Sequence, residues 1–91
     1  GYSALSGPNL ETPAEYTMLN RLGSDCTGMS SIPEVLVARH MDVPVLMISL
    51  VSNVSFPVSS IRVTTVEEVI ATARAAEPKM RLLIRELLQN V

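Results

Sequence analysis

Three stretches of this 91-residue chain place a glutamate three positions after a hydroxyl side chain, as in Thr12 and Glu15, Ser31 and Glu34, and Thr65 and Glu68. This is the capping-box spacing. The hydroxyl accepts from a backbone N–H of the first turn and the glutamate reaches back to the cap's own N–H, so each pair marks a helix start. Pro13 directly after Thr12 suits the first helical position, and Gly23 suits the residue just past that helix's end. Leu19 and Leu22 are expected on its buried face. The second helix runs to Arg39 or His40, with Val35, Leu36 and Ala38 on its buried side. The third is long, with Val69, Ile70, Ala73, Met80, Leu83 and Leu87 facing inward. Pro78 should kink or break it.

The stretches before the three helices read as strands: Tyr2 to Ser6, Asp25 to Met29, and Val45 to Val51. The last is nearly continuous in apolar residues, the pattern of a strand covered on both faces. Strict alternation of strand and helix predicts an α/β fold with helices packed on a mostly parallel, twisted sheet. Residues 53–64 form the one long irregular connection, and such loops at strand ends are where ligands bind.

Hydrophobic residues make up 47% of the chain with only three aromatics (Tyr2, Tyr16 and Phe56), so the apolar surface is aliphatic. So short a chain buries a smaller fraction of its surface than a larger domain. This aliphatic content, and a first residue that is Gly rather than Met, fit a piece of a larger protein. The net charge is −2, without a basic patch interleaved with aromatics, which argues against nucleic-acid binding. No apolar run approaches the ~20 residues that span a bilayer, which argues against a membrane protein. No signal peptide is visible. The single cysteine, Cys26, forms no internal disulfide or metal cluster and is expected to be a small buried residue. A cytoplasmic protein is the default expectation.

Each candidate site residue has an ordinary structural explanation. Glu11 suits the positive end of a helix dipole, Met29 fills space, Ser30 and Ser31 cap, and Asn53 turns the chain where a strand ends. Their joint position points further. Glu11, Met29 and Asn53 each lie at or near the C-terminal end of a predicted strand. In an open α/β sheet those ends share one rim, so the three are candidates to converge on one crevice.

The segment Ser6-Gly7-Pro8-Asn9-Leu10-Glu11-Thr12-Pro13-Ala14-Glu15 resembles the G-P-x-[FYL]-E-T-x-A-E segment of homotrimeric purine nucleoside phosphorylases. Gly28-Met29-Ser30-Ser31-Ile32-Pro33-Glu34-Val35, followed by Ala38-Arg39-His40, is similar to that family's G-M-S-T-[VI]-P-E-V…A-R-H signature. Ser52-Asn53 matches its [ST]-N pair, and Glu67-Glu68-Val69 matches the E-E-V of its last helix. The resemblance covers essentially the whole chain. It implies the C-terminal portion of a larger domain, residues 1–91 forming a single α/β unit of a three-layer phosphorylase-type fold.

The resemblance also implies a chemistry: cleavage of a purine nucleoside by phosphate to free base and ribose 1-phosphate. Inorganic phosphate is the co-substrate, and no metal or organic cofactor is used. Asn53 would hydrogen-bond purine N7 and O6 and so stabilise negative charge on the departing base, the catalytic role. Removing one such donor typically costs about 3–4 kcal/mol. Glu11 would accept from N1–H, and from the 2-amino group of guanine, favouring inosine and guanosine over adenosine. Leu10 would pack on the base and Ser52 would support that end of the strand. Met29 and Val66 fall at ribose positions, and Ser30 would bind phosphate through its hydroxyl or amide.

Two departures stand out. The family usually carries a histidine reaching the ribose 5′-hydroxyl where this chain has Val66; relatives acting on methylthioadenosine also place an apolar residue there. Those relatives carry aspartate at the position of Asn53, which keeps the 6-oxopurine expectation. The family's phosphate site is mostly upstream, and of it only Ser30 is present. Arg21, Arg39, Arg62 and Arg74 are phosphate candidates by charge alone. His40 suits a helix C-terminus. The expectations are therefore a homotrimeric phosphorylase whose 91-residue portion is inactive by itself, or else a non-catalytic α/β module that binds purine weakly or associates with a partner, or a methylthioadenosine phosphorylase-like relative.

Overall fold

The computed structural model describes every residue from Gly1 to Val91. The chain forms two compact units, Gly1–Ser49 with Ser55–Ile61, and Leu50–Val54 with Arg62–Val91.

The first unit is built on a β–α–β arrangement. Strand β1 (Tyr2–Ala4) and strand β2 (Cys26–Gly28) run parallel, pairing Tyr2 with Cys26, Ser3 with Thr27 and Ala4 with Gly28. Three further hydrogen bonds join the two segments: Asp25 and Cys26 N–H donate to the Gly1 carbonyl (2.8 and 3.3 Å) and Leu5 N–H to that of Gly28 (2.9 Å). Parallel strands need a crossover connection, and helix α1 (Pro13–Arg21) supplies it. Its start is the capping box expected from sequence. Glu15 N–H donates to Thr12 Oγ1 (3.3 Å) and Thr12 N–H to Glu15 Oε2 (2.6 Å). Its end is equally local. Gly23 has φ +88°, its N–H donates to the Asn20 carbonyl, and that of Ser24 donates to Leu19, a Schellman closure that suits glycine.

Tyr16 and Leu19, on α1, are the two side chains of the core, at 9% and 6% exposure. Leu22, expected beside Leu19, is instead 76% exposed, because it sits in the C-cap just before the chain turns away at Gly23. Helix α2 (Ile32–His40) ends at His40, as expected. Val35 and Ala38 are half-buried, but Leu36 faces solvent. Its start departs from the sequence pattern. Ser31 takes φ +76° and its side chain makes no capping hydrogen bond. In that left-handed conformation it is not the extended cap from which a hydroxyl reaches the first turn. Cys26, expected to be buried, is half-buried within the two-stranded sheet.

The long apolar run does not become a strand. Val45–Val51 carries no ladder hydrogen bonds, and Leu46 and Val51 are exposed. A strand is defined by a paired neighbour, and β1 and β2 pair only with each other. Residues 58–60 form a short 3-10 turn, which packs on α1.

The second unit is dominated by helix α3 (Val66–Gln89), opened by a second complete capping box: Glu68 N–H donates to Thr65 Oγ1 (3.2 Å) and Thr65 N–H to Glu68 Oε2 (3.0 Å). Pro78 does not break it. The helix continues without interruption, the favourable residues on either side outweighing the one backbone donor that proline lacks. Of the six side chains expected to face inward, Met80 and Leu87 are half-buried, while Val69, Ile70, Ala73 and Leu83 are exposed. The apolar face is amphipathically arranged yet uncovered. With Leu50 it lines an open groove of about 610 Å³ along Ala73, Ala76, Met80, Ile84 and Leu88. No helix is long and apolar enough to cross a membrane.

Candidate functional site

The parallel pairing of β1 and β2 places their C-terminal ends side by side, with Ala4 opposite Gly28. The connections that follow, residues 5–12 and residues 29–31, therefore leave the same edge of the sheet. These connections carry Leu10, Glu11, Met29 and Ser30, so two of the three strand ends expected to share a rim do so. The third does not form as a strand.

Close contacts lock the two connections together. Gly7 has φ +63°, and a β-carbon there would lie 2.6 Å from Met29 Sδ, so the methionine packs directly on the glycine backbone. Both the left-handed φ and the missing side chain are required at this position. The Tyr2 hydroxyl lies over Gly28, where a β-carbon would collide with it, and donates to the Ser30 carbonyl at 3.1 Å. Beyond it, Ser31 holds its strained positive φ. Residues kept in such conformations cluster at ligand sites. The first turn of α2 carries no side-chain cap, and N–H groups at a helix start favour anions.

Glu11 is half-buried and precedes the Thr12 cap. Its carboxylate and backbone lie beside the Tyr16 hydroxyl, which also faces the Ser55 side chain. Burial pushes the Tyr16 phenol above its ordinary value. The Ser55 hydrogen bond works against that rise and the Glu11 carboxylate adds to it.

Leu10 and Met29 are exposed, as flat apolar contacts in an open site would be. Ser52 and Asn53 belong to the second unit, as does Val66, the first residue of α3. Ser52 Oγ donates to Asn53 Oδ1 at 2.8 Å. With the amide oxygen engaged this way, the donor end of Asn53 is its NH₂ group. Val66 is exposed and apolar, with no group to hydrogen-bond a hydroxyl. Tyr2, Tyr16 and Ser55 are the residues that sequence reasoning missed.

A family model described as the phosphorylase superfamily matches residues 2–89, and the chain belongs to that superfamily. Its similarity is to purine nucleoside phosphorylases. It is 38% identical to purine nucleoside phosphorylase 1 of Geobacillus stearothermophilus over 90 residues, 99% of this chain and 32% of that protein. It is 38% identical to the purine nucleoside phosphorylase of Bos taurus over 91 residues, again 99% of this chain and 32% of the relative. Over a shorter stretch of 52 residues, 57% of the chain and 19% of the relative, it is 54% identical to purine nucleoside phosphorylase 1 of Bacillus subtilis. The chain spans about a third of the length of the curated relatives it matches end to end.

Proposed function

We propose that the natural polypeptide carrying this chain is a purine nucleoside phosphorylase, a pentosyltransferase acting on inosine- and guanosine-type nucleosides with inorganic phosphate. The products are free purine and ribose 1-phosphate, and no metal or organic cofactor takes part. The observation that carries this is end-to-end similarity to two purine nucleoside phosphorylases; Glu11 and Asn53, which we assign to base recognition from their motifs, support the same reading.

As the glycosidic bond breaks, positive charge develops on the ribose and negative charge on the purine. The NH₂ of Asn53, its carbonyl engaged by Ser52, donates to N7 and the region of O6 where that charge collects. Glu11 accepts from N1–H of a 6-oxopurine. Adenine presents a lone pair at N1 and is repelled. Sites built around such a hydrogen bond reject the analogue lacking it by roughly 10⁴-fold or more. Leu10 lies on the base and Met29 against the ribose, while Ser30 and the uncapped start of α2 receive phosphate. Val66 leaves the 5′ end of the ribose without a polar partner at this position.

Phosphorolysis of inosine, guanosine and adenosine by the natural polypeptide tests this directly. Inosine and guanosine should be turned over and adenosine rejected; equal turnover of adenosine would overturn the assignment. Asn53→Ala should lower kcat by roughly 10²–10³-fold, and a loss under threefold would remove Asn53 from the mechanism. The 91-residue chain alone should be inactive, since most of the phosphate-binding residues expected of the family are not in it.

One observation, the apolar Val66, favours a second reading in which the 5′ substituent is apolar, as in methylthioadenosine. Preferred turnover of that nucleoside over inosine would select it. A homotrimeric assembly, a cytoplasmic location and the lack of nucleic-acid or membrane partners belong to the same proposal.

A further inference from the structure

Glu11 and Tyr16 occupy the residue before the cap and the fourth residue of helix α1. Side chains at these two positions face each other across the helix entry, where a pair of apolar residues commonly packs as a staple. In this chain the pair is an acid and a phenol. Tyr16 is one of only two buried side chains, and its hydroxyl meets the carboxylate and backbone of Glu11 and the side chain of Ser55. Ser55 comes from the segment that returns to pack on α1 within the same unit.

A carboxylate has two oxygens and about four acceptor sites. A half-exposed glutamate with nothing holding it samples several rotamers, and binding must order it at a cost. We infer that Tyr16 is a positioning residue for Glu11: its buried hydroxyl, braced by Ser55, anchors the carboxylate so that its remaining acceptor sites meet the N1–H edge of a 6-oxopurine. This rests on the reading of Glu11 as the base acceptor. Tyr16 contacts no substrate and acts only through Glu11.

The test is a double-mutant cycle in the natural polypeptide with Tyr16→Phe and Glu11→Ala, reading kcat and KM for inosine, guanosine and adenosine. Tyr16→Phe keeps the buried ring and removes only the hydroxyl. It should raise KM for inosine and guanosine about tenfold, as loss of a hydrogen bond to a charged group does. It should narrow the preference over adenosine by the same factor, with kcat changed less than threefold. In the Glu11→Ala background the same substitution should change neither value. A purely structural Tyr16 would shift all three nucleosides alike, in both backgrounds, and that result overturns the inference. If Glu11→Ala abolishes the preference while Tyr16→Phe preserves it, the inference fails and the base reading stands. If Glu11→Ala leaves the preference intact, or the unsubstituted protein does not cleave inosine, the base reading fails and takes this with it. Ser55→Ala, which leaves the tyrosine in place, should give a smaller change in the same direction and serves if Tyr16→Phe does not fold.

Discussion

At the scale of single residues, the candidate site depends on one atom that is missing. Gly7 combines a left-handed backbone with a position at which any β-carbon meets Met29 Sδ. Gly7→Ala should therefore destabilise the natural polypeptide by about 1–2 kcal/mol from the backbone alone. It should also push Met29 off its place beside the Glu11 connection. A urea-unfolding midpoint that does not move would contradict this. Glu11 and Asn53 enter the proposed site from their motifs, because each sits in a short pattern that resembles one with a definite chemical use in the family. Tyr16 does not. An aromatic residue four places into a helix reads as core, which it is, and the role we propose for it comes only from the neighbours of its hydroxyl. Tyr2 was hidden for the same reason: nothing in the order of residues says that its hydroxyl reaches Ser30.

At the scale of elements, three identical spacings have two outcomes. Thr12 and Thr65 form complete boxes, while Ser31 takes φ +76° and caps nothing. The cause lies outside the motif. The chain enters α2 from a loop tied down by the Tyr2–Ser30 hydrogen bond and the Met29–Gly7 packing, and capping patterns carry no record of such ties. Thr12→Ala should cost about 1 kcal/mol of stability and, because Glu11 adjoins the cap, should also raise KM for inosine. Ser31→Ala should cost far less through capping, and Ser31→Gly should gain a few tenths to about 1 kcal/mol by relieving the positive φ. Chemical denaturation of the three variants checks the ranking, and equal losses for Thr12→Ala and Ser31→Ala would refute it. The parallel pairing of β1 and β2 followed from the alternation of elements. The third strand did not, because an apolar run records that a segment is to be buried but not which neighbour will pair with it.

At the scale of the whole chain, the ratio of covered to uncovered apolar surface decides behaviour. Two side chains form the core, whereas Leu36, Leu46, Val51, Val63 and the groove along α3 lie open. That burial is far too little to offset the conformational entropy of ordering 91 residues. The 91-residue chain by itself should accordingly bind a dye specific for apolar surface and melt broadly. The natural polypeptide should melt in one sharp transition. A sharp calorimetric peak from the isolated chain would overturn this.

The pairing of Glu11 with Tyr16 also constrains how such a site changes over generations. Losing the acid first strands a buried phenol without its acceptor, a cost of about 1–3 kcal/mol, whereas losing the phenol's hydroxyl first costs only affinity. The two positions should therefore drift in a fixed order, tyrosine before glutamate. With Glu11 as the proposed acceptor for 6-oxopurines, lineages that abandon those bases would then pass through an intermediate that is stable but less selective.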